Sequence, residues 1–235
     1  MNFGSPRLHY RRCDSTNNRA RELAADGFPA GTVVTADEQT AGKGRQGRSW
    51  TARWGKALLY SAILRPLAER HVVLPLAVPL AVAEAVEGLA PVECKVKWPN
   101  DLWIEGRKCA GVLIEGRPED GWAVIGVGLN VAIEPEEFPE ELRDSATSIG
   151  HDVEIEAALG VLNARLGEWV EAEPNDVIDA FGERDVLRGK RIKWGDGEGV
   201  AAGVDKAGNL LVETDSGETV SLGAGEVHLS ASGGS

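Results

Sequence analysis

Lys95-Val96-Lys97-Trp98-Pro99-Asn100-Asp101-Leu102-Trp103 reads as one strand, a sharp break and the start of another. Val92 to Lys97 alternates apolar and polar residues, the period of a half-buried strand. Pro99 has no N–H to offer a ladder and ends it. Asn100 and Asp101 favour the turn that follows, and a second strand begins at Leu102 and runs to Ile104. Lys97 therefore falls at a strand end with Trp98 beside it. Two readings are open at this point. An ammonium held in a partly apolar wall suits a carboxylate or phosphate oxygen, and a strand-end lysine lying over a surface tryptophan needs no ligand at all.

Outward from this stretch the chain alternates strands and helices. Downstream, Arg107 and Lys108 follow a turn at Glu105-Gly106. Cys109 to Glu115 and Trp122 to Val131 read as buried strands. Gly126 and Gly128 within the latter point either to tight strand packing or to a ligand pressing close. Asn130 fits a turn or a base edge. Upstream, Ala68 to Leu89 is an apolar helical region expected to kink or restart at Pro75 and Pro79. Ala57 to Leu64 reads as a strand, and so do Thr32 to Ala36 and Arg7 to Arg12. Ser15-Thr16-Asn17 precedes a helix over Asn18 to Ala25. Capping alone explains those three residues, although hydroxyls and N–H groups at a helix start also hold an anion or a polar ligand head.

Gly42 to Arg48 packs three glycines and three cations into seven residues. Glycine permits close backbone approach, and cations offset phosphate charge. Gly42 to Ser49 nearly fits a phosphate loop, but such a loop opens into a helix, and here a strand follows. Beyond the acidic loop Glu134 to Arg143, helices are expected over Ile155 to Glu171 and Asn175 to Glu183. From Arg188 five short strands with Gly-rich turns read as a small all-β barrel. The expected units are residues 1–185 and 186–229, with a flexible tail at 230–235.

The net charge of −12, from 25 basic and 37 acidic residues, argues against general nucleic-acid binding. Cys13, Cys94 and Cys109 show no metal or disulfide spacing, which fits a reducing cytoplasm. The four histidines are scattered. No signal peptide is expected from the charged residues Arg7, Arg11, Arg12 and Asp14, and the longest apolar run is too broken to cross a bilayer.

Five motifs in order resemble the biotin–protein ligases: Ser15-Thr16-Asn17 before a helix, Gln39 ahead of Gly42 to Arg48 with Trp50 following, Lys97 to Leu102, Lys108 to Glu115, and Gly126 to Asn130. The resemblance covers about residues 8–185. It implies an α+β fold, with a mixed-sheet catalytic domain of the biotin/lipoate ligase type and a small C-terminal SH3-like β-barrel. The chain resembles the form lacking an N-terminal DNA-binding domain, since no helix-turn-helix precedes Arg7, and a ligase that does not repress transcription is expected. Lys43 stands where the family often has arginine; charge is kept and the bidentate fork is lost.

The chemistry this resemblance implies uses ATP, Mg²⁺ and biotin. A biotin carboxylate attacks the α-phosphate to give biotinyl-5′-AMP, and a lysine of a biotin carboxyl carrier domain then takes the acyl group. By the resemblance Lys97 and Arg45 are the catalytic cations. Biotin is expected against Ser15, Thr16, Asn17, Gln39, Gly42, Lys43, Gly44, Arg45, Trp50, Lys97, Gly111, Gly126 and Gly128. ATP is expected against Lys43, Arg45, Arg48, Trp50, Asn100, Lys108 and Asn130. Asp101 is the candidate to orient Lys97 or to hold Mg²⁺. The acceptor is expected to be a carrier domain of an acyl-CoA or related carboxylase, and a homodimer through the sheet edge is compatible with the family. Two rivals stand beside this reading: a lipoate–protein ligase of the same fold, and a non-catalytic nucleic-acid-binding module. A ligase relic that binds biotin without turnover is a third.

Overall fold

The computed structural model describes residues 1–150, 152–195, 197–223 and 227–229. The expected tail at 230–235, His151 and the turn residue Asp196 lie outside the described residues. The elements run β1 (Arg7–Tyr10), α1 (Thr16–Ala25), β2 (Val33–Ala36), β3 (Ala57–Leu64), α2 (Leu74–Glu87), β4 (Cys94–Lys97), β5 (Asp101–Ile104), β6 (Arg107–Arg117), β7 (Trp122–Asn130), α3 (Ile155–Trp169) and α4 (Pro174–Arg184). They continue with β8 (Arg191–Trp194), β9 (Gly197–Val204), β10 (Leu210–Glu213), β11 (Thr219–Leu222) and β12 (His228–Leu229).

Seven strands form a mixed sheet in the order β1-β2-β3-β7-β6-β5-β4. β1 and β2 are parallel, and every other pair is antiparallel. The side-chain period of two sorts each central strand between two faces. On β3, Leu58, Tyr60, Ala62 and Leu64 join a large core with α2, α3 and α4, while Leu59 and Ile63 point the other way. On β7, Ile125, Val127 and Leu129 enter the same large core. Both faces of these strands are covered, which is why β3 is buried along its whole length.

The second face is covered unevenly. At one end Ala20 and Ala24 of α1 pack on Ile63, Trp122 and Val124. At the other, Ala57 and Leu59 meet Ile133 and Phe138. Between them the sheet carries glycines: Gly128 faces Gly111 across the β6–β7 ladder, and Gly126 faces Leu113. The bare strip is filled by polar and aromatic groups arriving from elsewhere. A Cβ at Gly126 would collide with the Asn17 amide, and one at Gly128 with the Trp50 indole. At Gly111 it would lie 3.1 Å from Trp50 Cζ3.

The expected restart at Pro75 is present, since a 3-10 turn over Glu69–Val73 gives way to α2 at Leu74 with Pro75 in its first turn, but the expected break at Pro79 is not. Helix α2 runs unbroken from Leu74 to Glu87 through Pro79. Pro79 falls in the second turn, so its missing N–H leaves only the carbonyl of Pro75, near the helix start, without an intrahelical partner. Burial of nearly the whole helix holds it together.

The C-terminal strands form a five-stranded antiparallel sheet in the order β11-β10-β9-β8-β12. It shares one continuous core with the large sheet through Ile192, Ala201, Leu210 and Val212. The Trp98 indole donates to the Gly208 carbonyl at 3.0 Å, and Val186 N donates to Val96 O at 3.0 Å.

Two outcomes follow from this packing. Gly128→Ala should drive the Trp50 ring off the sheet and destabilise the fold by about 1–3 kcal/mol, whereas Gly160→Ala, in open space on α3, should be neutral or stabilise by up to about 1 kcal/mol. Chemical denaturation checks the pair, and equal midpoints would contradict the tight strip. Burial, reinforced by Asp14, pushes the Cys13 thiol up to about 11, and burial pushes Cys94 up to about 12. Cys109 is raised as well, by burial. Thiolate is the reactive form, so Cys13 at pH 8 should react with a disulfide reagent about two orders of magnitude more slowly than an unperturbed thiol, and all three should react freely in denaturant. A fast-reacting thiol in the native protein would contradict this burial.

Candidate active site

A cavity of about 300 Å³ opens over the glycine strip. Its inner end is polar and buried. Ser15, Thr16, Asn17 and Ser61 are all at most 4% exposed. Gln39 Oε1 accepts from Thr16 N at 2.7 Å and from Thr16 Oγ1 at 3.0 Å. Ser61 Oγ lies 2.8 Å from Thr16 Oγ1 and 2.6 Å from Asn17 Oδ1, its single proton serving one at a time. Asn17 Nδ2 donates to Glu115 Oε2 at 2.8 Å. Ser15 occupies the N-cap position of α1 without a side-chain cap bond. The Ser-Thr-Asn cluster is therefore not explained by helix capping; its side chains belong to the cavity.

The outer end is charged. Lys108 Nζ lies 2.5 Å from Asp101 Oδ1 and 5.7 Å from the centre of the Trp50 ring. Asn100 is fixed by a reciprocal pair of bonds: its Nδ2 donates to Val112 O at 2.8 Å and its carbonyl accepts from Val112 N at 3.0 Å. Asn130 donates to Thr147 O at 3.1 Å. The cationic loop is closed by Gly44 N to Arg48 O at 2.7 Å and Trp50 N to Gly42 O at 2.9 Å, with Gln46 held at a φ of 54° in the turn. Burial, then the neighbouring Arg48, lowers the Arg45 pKa, and Asp101 opposes them. Such a guanidinium gains from an arriving anion. The Trp50 Nε1–H is buried without a protein partner among the described residues.

Most of the residues expected from the sequence come together here. Ser15, Thr16, Asn17, Gln39, Lys43, Gly44, Arg45, Arg48, Trp50, Asn100, Asp101, Lys108, Gly111, Gly126, Gly128 and Asn130 all line the cavity. Two do not. Gly42 is buried under the Trp50 carbonyl and the Gln39 amide. Lys97, expected as the catalytic cation, is not in the cavity lining. It lies on β4, the edge strand, opposite Asp101 in the β4–β5 ladder, and its Nζ is 5.2 Å from the Trp103 ring rather than beside Trp98. Trp98 is buried in the opposite direction, in the main core. The ion pair of Asp101 is with Lys108, which lines the cavity beside it.

Three contributors were not foreseen. Ser61 bridges Thr16 and Asn17. Glu115 holds Asn17, and it also lies 3.1 Å from Arg21 Nη1 and 3.9 Å from Lys43 Nζ, which draws Lys43 to the inner end. The loop after β7 returns to the site: Phe138, Pro139, Leu142, Ser145 and Ala146 line the cavity, and the strand-like bonds Lys108 N to Ser145 O at 2.8 Å and Thr147 N to Lys108 O at 2.9 Å lock it beside Lys108. Glu115 was visible within a motif; the loop closure joins residues far apart in sequence and left no local mark.

Among the described residues, no three His, Cys, Asp or Glu side chains gather to hold a metal. Among the described residues, Asp101 is the one carboxylate of the cavity wall. A single carboxylate suits a magnesium ion carried in by nucleotide phosphates and keeping several waters, not a resident ion.

Residues 9–131 match the model of the biotin/lipoate A/B protein ligase family, and residues 189–230 match that of the biotin protein ligase C-terminal domain. The biotin–[acetyl-CoA-carboxylase] ligase of Mycobacterium tuberculosis is 35% identical, over 92% of this chain and 86% of that protein. The bifunctional ligase/repressor BirA of Bacillus subtilis is 34% identical over 92% of this chain and 71% of its own length. The structure of the biotin protein ligase from Aquifex aeolicus in complex with biotin and ATP superposes with a TM-score of 0.83 at 29% identity, covering 95% of this chain and 99% of that one. A family model spanning over half of the chain, the 35% identity and the glycine-floored cavity converge: the chain belongs to the biotin/lipoate A/B protein ligase family.

Proposed function

We propose that this chain is a biotin–protein ligase that activates biotin with ATP and transfers it to a lysine of a carrier domain. The observation that carries the reading is the polarity of the cavity, a buried hydrogen-bonding network at one end and a cluster of cations at the other, with Lys108 in the cationic half. Biotin has a neutral hydrogen-bonding ring system at one end and a carboxylate at the other. Its ring system suits Thr16, Asn17 and Gln39, its apolar body suits the Trp50 face, and its carboxylate would point toward Lys108. ATP would enter over Arg45, Arg48 and Asn130.

The first step brings two anions together. A carboxylate oxygen attacks the α-phosphorus, one P–O bond forms, and the bond to the β-phosphate oxygen breaks to release pyrophosphate. The protein supplies alignment and positive charge where charge develops. Lys108 would neutralise the carboxylate and the α-phosphate oxygen together; Asp101 would hold the ammonium until substrate arrives. Arg45 would leave a partly desolvated, like-charged setting for the phosphates. Magnesium, when present, would offset phosphate charge, with Asp101 within its reach. In the second step an acceptor amine attacks the acyl carbon, AMP leaves with the anhydride oxygen, and the amine loses a proton. Water exclusion around the acyl-adenylate follows from the buried inner end and the Trp50 cover.

The partner reading rests on relatives named for acetyl-CoA-carboxylase, and the reading divides the chain into a catalytic unit at residues 1–185 and a C-terminal β unit at 186–229. Three free thiols support a reducing cytoplasm. No helix of the described residues is long and apolar enough to cross a membrane. A lipoate ligase would use the same adenylation chemistry, but its elongated acyl chain has no use for the Thr16–Gln39 network.

ATP–pyrophosphate exchange tests the assignment. Exchange should require biotin and ignore lipoate. Lys108→Ala should lower it by about 10²–10³ with the fold intact, and Lys97→Ala should stay within about threefold of the parent protein, because its charge lies one strand outside the cavity. Equal losses in the two variants, or a loss confined to Lys97→Ala, would overturn the reassignment; exchange with lipoate alone would move the chain to the sister activity.

A further inference from the structure

We infer that the turn Asp205–Asn209 of the C-terminal sheet is a positioning element of the active site, acting through the Trp98 indole on Asn100 and Asp101. The inference rests on the proposed function. The turn is over-determined. Asp205 Oδ1 accepts from Ala207 N and Asn209 N, each at 2.9 Å, and Oδ2 accepts from Asn209 Nδ2 and Ser221 Oγ, each at 3.0 Å. Backbone bonds close the same loop from Asp205 N to Asn209 O at 2.9 Å and from Gly208 N to Asp205 O at 3.0 Å. Gly208 takes a φ of +81°, and a Cβ there would lie 3.5 Å from Leu76. The turn therefore delivers one carbonyl, that of Gly208, into the boundary between the two sheets, where the Trp98 Nε1–H donates to it at 3.0 Å.

That indole is 2% exposed, and a buried N–H requires its acceptor. Trp98 leads directly into the turn before β5. Asn100, two residues on, is clamped to Val112 by both its amide and its carbonyl, and Asp101 holds the Lys108 ammonium at 2.5 Å. The segment Trp98–Asp101 is thus pinned at one end by the C-terminal sheet and at the other by cavity residues. Releasing the first pin frees the carboxylate that aims Lys108. The inner end of the cavity, around Thr16 and Gln39, has no bond to this segment among the contacts described.

The test uses the full chain with Trp98→Phe, which keeps a ring and removes the N–H, and Asp205→Ala, which loosens the turn. Each should lower kcat/KM for ATP in biotin-dependent pyrophosphate exchange about 5–20-fold while the biotin dissociation constant stays within about twofold. The double variant should fall no further than the worse single one, since both remove the same contact. In ligand-free protein the Val112 amide should exchange faster in each variant, with Thr16 unchanged. Exchange kinetics like those of the parent in both variants would overturn the inference. So would parallel weakening of biotin and ATP, or additive losses. If the parent protein itself shows no exchange, the proposed function falls, and the amide comparison still decides the linkage.

Discussion

Bare backbone on one face of the central sheet is the constraint from which the site follows. The opposite face is filled by three helices, and its side chains interlock as in any globular core. On the cavity face Gly126 and Gly128 project no side chain where β3, directly opposite, supplies Ser61 and Leu59. Helix α1 therefore cannot cover the whole face, and the Asn17 amide and the Trp50 indole approach the backbone directly. A single methyl at either glycine would occupy space these groups already hold. The hollow is stable because it is small, because a rigid sheet floors it, and because its polar walls satisfy one another through Ser61, Gln39 and Glu115.

Electrostatics divides the hollow. The inner end has hydroxyl and amide groups bonded in a closed network, which leaves its geometry set before a ligand arrives. The outer end holds Lys108, Arg45 and Arg48 within a chain whose net charge is −12. Desolvation and the neighbouring Arg48 make Arg45 receptive to an anion, and Asp101 pairs with the Lys108 ammonium in the meantime. The two ends match a substrate that is neutral at one end and anionic at the other.

Much of the fold was legible because its strands are short, apolar and separated by strong turn residues. β3, β7 and the two late helices emerge from period and punctuation alone. Most of the cavity residues were legible through motifs whose order mirrors their convergence in space. What failed is instructive. Lys97 ends one strand and Lys108 stands near the start of another, and sequence spacing cannot say which of the two strands faces the cavity and which forms the edge. The sheet order, β6 inside and β4 outside, is a tertiary fact. Pro79 suggested a helix break by its local chemistry, but burial overrode it. Capping explained Ser-Thr-Asn locally, and only the arrival of Gln39 and Ser61 from other strands gave these side chains partners.

Activation by this route requires a biotin carboxylate oxygen to become bonded to the α-phosphorus in this cavity. Biotin labelled with ¹⁸O in both carboxylate oxygens, incubated with the protein and ATP and trapped with hydroxylamine at the acyl carbon, reports that bond by mass spectrometry. The account predicts AMP carrying one ¹⁸O per molecule, with biotin hydroxamate formed in equal amount. AMP without label, or label appearing in the released pyrophosphate or phosphate, would contradict it.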